Sequence, residues 1–395
     1  MSDTHPQNAL LAHPFRPFFL LTGVYGVLIV LAWMGFLFGG WPLPVSWSPL
    51  HWHSHEMLYG FVPAAIAGFV LTAMTNWTGA APLANKGLLA LLLLWFAGRL
   101  VFWFAGWLPP LLVALVDLAF LPVLAAYVAT VLLRHQNRRN LILVGILVIL
   151  SIGNLLMHIG FGMGKMLFLN LGQNLGLNLI VVIMVVIAGR IIPLFTANWL
   201  RNNGGNPEWV TRSAWTGHIA LGSVALLALH ELLWAPQAVI GTVALVAGLA
   251  NGLRLYQWAG WRVAREPLLW ILHLGYLWIV VGLLLRSAAA FNLGVADTLW
   301  QHALGVGAMG TLILGVMTRV AMGHTGRPLK LPAFAIVAYW AIVLSTVLRL
   351  LAAAGLISYA VGVTLSALGW ILAFALFVVL YWPILSSPRA DGRPG

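Results

Sequence analysis

Long apolar stretches separated by short polar connections recur along the chain from residue 18 onward. Twelve of them are long enough to cross a bilayer as helices, since about 20 residues suffice at about 1.5 Å per residue. They lie at 18–38, 56–76, 88–107, 111–133, 141–161, 171–195, 213–234, 236–258, 268–290, 299–320, 333–353 and 359–382. The pattern predicts an all-α integral membrane protein of about twelve transmembrane helices, forming a single polytopic domain over 1–395.

The composition agrees with this prediction. The chain has 395 residues, of which 62% are hydrophobic and 7% are charged, and its mean hydropathy is +0.98. So few polar residues could not cover a soluble globule. The sequence contains no cysteine, which excludes disulfides, thiolate ligands, iron–sulfur clusters and covalently attached c-type haem. A bound metal would therefore use His, Met, carboxylate or Tyr.

The positive charges predict an orientation. The formal net charge is +12, but the basic residues are dispersed among the loops, which favours membrane placement over nucleic-acid binding. All loop Arg and Lys residues except Lys165 fall at the ends of the chain or in even-numbered connections. Because basic loops are retained in the cytoplasm, we expect both termini there, with 1–17 as an N-terminal segment and 385–395 as a short tail.

A weak internal repeat relates the inner ends of the second, sixth and tenth spans. Asn76-Trp77-Thr78-Gly79 resembles both Asn198-Trp199 and His324-Thr325-Gly326, and these segments are four spans apart. Three four-helix pseudo-repeats are one interpretation. The alternative is that helix ends favour Asn, Thr, Gly and Pro in any case.

Three histidines and a glutamate stand where the second span begins. On a helix starting at Ser48-Pro49, His51 and His55 share a face and His53 points away from it. A stripe suited to close helix packing follows at every fourth residue: Glu56, Gly60, Ala64, Gly68 and Thr72. Imidazoles at a membrane boundary can bind haem iron or copper, relay protons, or simply be hydrated by the headgroup region.

Three further histidines lie at outer helix ends: His158, His230 and His302. Together with the first three they could converge on one site near the outer leaflet. Two facing imidazoles suit a b-type haem, and two or three suit copper, for which Met163 and Met166 are candidate further ligands. The alternative for these methionines is filling gaps between helices.

Three further sets of polar residues complete the candidates. Arg99 and Asp117 should lie at similar depth on antiparallel neighbouring spans, which predicts a structural ion pair. Arg286 could bind a haem propionate or reach the membrane surface. On the inner side, His13 and His324 belong to a group that could form an anion site or a second haem site, or could serve as membrane anchors and helix caps.

Several motifs, read in order, resemble the NnrS family over essentially the whole chain. They lie at 13–19 (HPFRPFF), 52–57 (WHSHEM), 75–79 (TNWTG), 190–196 (RIIPLFT), 318–320 (TRV) and 323–327 (GHTGR). The resemblance implies a bacterial inner-membrane protein that contains haem and copper and takes part in the response to nitric oxide and nitrosative stress. It carries over four histidines as family-level cofactor candidates: His13, His53, His55 and His324. Three further cofactor candidates rest on their positions alone: His230, His302 and Arg286. The metal candidates are His51, His55, His158, Met163 and Met166.

The predicted plan also resembles the catalytic subunit of haem–copper oxidases and nitric oxide reductases. Their metal ligands come from the second, sixth, seventh and tenth spans, and His55, His230 and His302 would occupy comparable helix ends. The sixth span departs from that pattern, because it offers Asn170, Gln173, Asn174 and Asn178 but no histidine. A full haem–copper active centre is therefore not expected.

Three functions remain compatible with the sequence. The first is a haem b and copper protein that binds nitric oxide or its product, directly or through an electron donor, at a site near the periplasmic leaflet. The second is a twelve-span secondary transporter of an anion or a metal complex, and the third is a scaffold for maturing other metalloproteins. No catalytic constellation of defined geometry can be read from the sequence, and the lipid bilayer is the one certain partner.

Overall fold

The computed structural model describes residues 9–43, 48–233 and 235–393, without the side chains of 231–233. Its regular elements are helices, and no strand occurs among these residues. Eleven helices in this part of the chain are long and apolar enough to cross a membrane, and the apolar stretch Ala214–His230 is a shorter one. The prediction of an all-α, multi-span membrane protein is confirmed.

The α-helices follow the predicted spans closely. They are α1 Phe15–Gly39, α2 Pro49–His55, α3 Val62–Thr78, α4 Asn85–Trp103, α5 Pro110–Leu118, α6 Phe120–Arg134, α7 Leu141–Met163, α8 Met166–Asn202, α9 Ala214–Leu233, α10 Gln237–Gln257, α11 Pro267–Ala290, α12 Asp297–His302, α13 Thr311–His324, α14 Ala335–Ala353 and α15 Tyr359–Ser386. The pair α5 and α6 forms one span. Three features stay predictions: the cytoplasmic location of both termini, the three pseudo-repeats and the single membrane domain. Of the predicted end segments, residues 1–8 and 394–395 lie outside the described part.

Two spans contain a π-helical segment. The first π segment, Glu56–Phe61, joins α2 to α3, and the second π segment, Ala303–Gly310, joins α12 to α13. In the first, Pro63 has no amide hydrogen to donate to the carbonyl four residues earlier, so the backbone there cannot keep a regular α-helical ladder. An inserted π turn changes the direction in which the preceding side chains point, and such turns are frequent at functional sites.

The described chain separates into two compact units. Unit 1 runs up to Gly176 and includes Val320–Leu329 and the chain from Phe374, while unit 2 comprises Leu177–Arg319 and Lys330–Ala373.

In unit 1, the span Pro49–Thr78 is packed closely against its neighbours. A methyl group added at Gly68 would lie 2.7 Å from the Phe19 ring of α1, and one added at Gly60 would lie 3.1 Å from the Tyr25 ring. Small residues therefore let α1 and the second span approach each other closely, as in other membrane helix pairs. This packing fixes the helix that carries His55.

Candidate metal centre

Two histidines and an aspartate meet inside unit 1. His55 ends α2, Asp117 lies in the last turn of α5, and His158 lies in the last two turns of α7. The Asp117 Oδ2 atom is 3.2 Å from His55 Nε2 and 2.8 Å from His158 Nε2, and all three side chains are buried. One ligand atom from each residue lies within 4.8 Å of the other two. Among the residues that the structure describes, these three form the cluster that could hold a metal ion.

A buried arginine connects this cluster to a second carboxylate. Arg99 of α4 donates from Nη1 to Glu56 and from Nη2 to Asp117, and Glu56 is fully buried at the start of the first π segment. With neutral imidazoles and both carboxylates ionised, the two carboxylates and one guanidinium would leave a formal charge of minus one. Because an unbalanced charge is costly in an apolar interior, this environment favours a cation.

Polar neighbours fix the orientation of the His55 imidazole. His55 Nδ1 lies 3.0 Å from Glu56 Oε1, and its Nε2 lies 2.8 Å from Asn154 Oδ1. Asn154 in turn donates to Asp117 Oδ2 at 2.9 Å. The His55 ring also stacks on Phe102, with ring centroids 3.8 Å apart. Hydrogen bonds to the second nitrogen of a ligand histidine typically orient it and set its tautomer.

The donor set fits a small metal ion. Nitrogen and carboxylate ligands at about 2.0–2.2 Å from one ion lie about 3 Å from each other, which the present distances approach without backbone movement. Two imidazoles and a carboxylate suit copper(II) and other first-row transition metals. A porphyrin does not fit at His55 as arranged, because the buried Asn154 and Asp117 side chains lie 2.8 and 3.2 Å in front of Nε2, where the macrocycle would have to lie.

Four other candidates in unit 1 lie outside this cluster. His51 Nε2 is 3.2 Å from Asn170 Oδ1, and His53 stacks on Trp33 with centroids 4.6 Å apart. Met163 and Met166 are 59% and 53% exposed at facing ends of α7 and α8. Metal ligation by His51, Met163 and Met166 and a cofactor contact for His53 stay predictions.

In unit 2, Arg286 occupies a buried polar site of its own. Its Nη1 donates to Asn178 Oδ1 at 2.5 Å, its Nη2 lies 3.2 Å from His230 Nε2, and its guanidinium carbon lies 4.7 Å from the Trp300 ring centre. His302 is half-buried, and its Nδ1 is 2.7 Å from the Thr298 carbonyl oxygen. The structure thus brings Arg286 to His230, while a haem contact for any of these residues stays a prediction.

His13 and His324 are also neighbours in unit 1. Their ring centroids are 6.1 Å apart, and the Phe15 ring lies 5.2 Å from the first and 5.6 Å from the second. A porphyrin between the two imidazoles would have to displace Phe15. Burial, followed by the nearby His324, Arg16 and Arg389, lowers the pKa of His13 to about 4.

Sequence reasoning missed two members of the buried network. Glu56 was identified only as part of a packing stripe, although the structure makes it the second partner of Arg99. Asn154 was not identified at all, and it contacts both His55 and Asp117. A signal for Asn154 existed, because it precedes His158 by four residues and therefore lies on the same helix face.

Comparison with known proteins identifies a family for this chain. The family model described as NnrS protein matches residues 9–389, which is nearly the whole chain. No curated protein matches the chain. The match takes in every element that carries the buried cluster, from α2 to α7. The chain therefore belongs to the NnrS family.

Proposed function

We propose that this chain is a bacterial inner-membrane metalloprotein of the nitric oxide response, and that His55, His158 and Asp117 hold a copper ion. The observation that carries the proposal is the buried cluster of two imidazoles and one carboxylate, whose partner Arg99 is shared with a second carboxylate. Family membership supports the connection to nitric oxide. The predicted orientation would place this cluster toward the periplasmic leaflet.

The surrounding residues would prepare the site for the ion. Arg99 holds Asp117 through Oδ1 and so leaves Oδ2 directed at the two imidazoles. Glu56 holds His55 Nδ1, which directs Nε2 toward Asp117. Bound copper would supply a coordination position for nitric oxide, a small apolar molecule that can arrive through the lipid. Direct binding needs no electron donor, whereas an electron-transfer role would require one.

Haem b remains part of this proposal on the family resemblance alone. The candidates are His53 in unit 1 and His230, His302 and Arg286 in unit 2. The arrangements at His55 and at His13 do not fit a porphyrin, for the reasons given above. The visible spectrum of the purified protein decides this point separately from its metal content.

The test is the copper content of the detergent-purified chain, compared with His55→Ala, His158→Ala and the control His135→Ala. His135 is exposed at the end of α6, so this control removes an imidazole without touching the cluster. We expect about one copper per chain in the wild type and the control, and a decrease of about tenfold or more in the two cluster variants, as is usual when a ligand is removed.

Equal copper content in all four proteins would refute the assigned site. A chain free of copper and haem after supplemented expression would instead favour the secondary transporter of an anion or metal complex. Visible spectra of the oxidised and reduced samples, recorded on the same preparations, report a b-type haem independently.

A further inference from the structure

The second π segment repeats the frame of the first. Each follows directly on a histidine that ends a short helix, His55 in the first case and His302 in the second. Each has glycine at its fifth position, Gly60 or Gly307, and each continues into a regular helix. The shared order of histidine, π segment, glycine and helix indicates that the second and tenth spans are structural repeats.

The helix that follows each of these spans is repeated as well. The helices α4 and α14 both have 19 residues, and each packs against the π segment of its own unit. Arg99 lies four residues before the last residue of α4, and Arg349 lies four residues before the last residue of α14. Arg349 therefore has the position in α14 that Arg99 has in α4.

The second π segment does not begin with a carboxylate residue that could pair with Arg349, as Glu56 pairs with Arg99 in the first. The first π segment begins with Glu56, which accepts from Arg99, whereas the second begins with Ala303. Within the described residues, Arg349 Nη1 is buried and has no hydrogen-bond partner. The neighbour of this guanidinium is the Tyr359 ring, 5.8 Å from its central carbon. A buried guanidinium nitrogen without an acceptor is costly.

Contacts of Gly307 locate Arg349 beside the second π segment. A methyl group added at Gly307 would lie 3.0 Å from Thr346 Cγ2, so α14 meets the segment at this level. Arg349 is three residues further along the same face of α14, which corresponds to about 4.5 Å. Because α14 runs antiparallel to the preceding span, that displacement brings Arg349 to the level of Ala303, where unit 1 has Glu56.

Two further polar groups at this segment also lack partners. The Gly307 methyl position is 2.7 Å from Trp278 Cγ, and the Trp278 Nε1 atom is buried with no acceptor among the described residues. In unit 1 the indole beside the corresponding glycine has a hydrogen-bond partner, because Trp95 Nε1 donates to the Gly60 carbonyl oxygen at 3.0 Å. Thr311, which is fully buried one turn beyond Gly307, likewise has no partner for Oγ1 in the described structure.

We propose that unit 2 binds a planar monoanion of the carboxylate or nitrite class at Arg349, beside the start of the second π segment. The anion takes the place of the carboxylate that Glu56 presents to Arg99. A guanidinium binds planar oxyanions through two parallel N–H groups, and the Trp278 indole, which can only donate, supplies a further hydrogen bond. One monoanion neutralises one guanidinium, as a buried site requires.

The test is the unfolding temperature of the detergent-purified full chain, titrated with sodium nitrite or sodium acetate at an ionic strength held constant with sodium chloride. A ligand that binds the folded state raises this temperature in a saturable way. We expect a rise of about 2 °C or more for the wild type at saturation, and no rise for Arg349→Gln. Arg212→Gln, at an exposed arginine, is the matched control and should behave as the wild type.

A complementary variant places the missing carboxylate in the chain. Ala303→Glu should unfold at a higher temperature than the wild type without added anion, and should no longer respond to nitrite or acetate. Equal responses of the wild type and Arg349→Gln would overturn the proposal, because the effect would then be a general salt effect. If Ala303→Glu does not fold, equilibrium dialysis of radiolabelled acetate against the wild type and Arg349→Gln decides the matter, and retention of binding in the variant refutes the site.

Discussion

Asp117 contacts four polar side chains at once in unit 1. Arg99 donates to Oδ1, while Asn154, His158 and His55 lie 2.9, 2.8 and 3.2 Å from Oδ2. Removing its charge would leave Arg99 with one carboxylate instead of two. We expect Asp117→Asn to lower the free energy of unfolding by about 1–3 kcal/mol, because an amide nitrogen in place of Oδ2 cannot accept from Asn154 and leaves that buried donor unpaired. Denaturant unfolding in detergent measures this change in the free energy of unfolding.

Asp297→Asn is the control for this substitution. Asp297 is exposed and accepts a hydrogen bond from Trp300 Nε1 through Oδ1, which an asparagine amide oxygen can also accept. Its effect should stay within about 0.5 kcal/mol, as at most surface positions. If both variants were equally stable, the network around Asp117 would not form as described.

His13 gives a residue-level prediction for pH. Its folded-state pKa is about 4, mainly because of burial and also because of His324, Arg16 and Arg389, against 6.5 for the unfolded chain. Between these two values the unfolded chain binds the proton and the folded chain does not, so stability falls as the pH is lowered from about 6.5 to about 4. We expect the unfolding temperature to decrease less over this range in His13→Gln than in the wild type or in the exposed control His135→Gln.

At the scale of elements, α7 and α8 approach each other through two glycines. A methyl group added at Gly172 of α8 would lie 2.5 Å from the Gly153 carbonyl oxygen of α7 and 2.9 Å from the Met157 backbone nitrogen. Backbone atoms cannot move aside as a flexible side chain can, so Gly172→Ala must separate the helices. We expect a loss of about 1–3 kcal/mol in the free energy of unfolding, measured by denaturant titration.

Gly145 of α7 offers the matched comparison. No atom lies within 4 Å of a methyl group added there, so Gly145→Ala should stabilise the protein by about 0.5–1 kcal/mol through the better helix propensity of alanine. A similar loss in both variants would show that the α7 and α8 contact does not depend on the glycines.

The helices and the buried site differ in how much of each the sequence predicts. Span positions follow from hydropathy, and the nearness of Arg99 to Asp117 follows from a fixed rise per residue. The partnership of Glu56 with Arg99 depends on packing between residues 43 positions apart, which no local pattern encodes. The π segments were not predicted either, because an inserted residue leaves a uniformly apolar stretch equally apolar. Local composition therefore predicts the helices, and tertiary contacts select the partners within the site.

For the whole molecule, the number of spans makes the predicted orientation testable. Eleven long apolar helices and the shorter Ala214–His230 in the described part would give an even number of crossings, which places both termini on one side. Following the loop charges, we expect green fluorescent protein to fluoresce when fused at either terminus. Alkaline phosphatase, which is active only in the periplasm, should be active when inserted between α4 and α5 and inactive between α3 and α4. The reverse pattern would contradict the orientation.

The two arginine contacts that hold the ends of unit 1 together have a consequence for synthesis on the ribosome. Arg16 is fully buried in the first span and donates to the carbonyl oxygens of Leu385 and Ser387, which follow it by 369 and 371 residues. Leu385 and Ser387 have not yet been synthesised while the intervening helices are being inserted. Helix α1 enters the bilayer before these acceptors are synthesised, so it is among the last helices to reach its final environment, and the Arg16 guanidinium must rely on temporary partners until the nascent chain has passed Ser387.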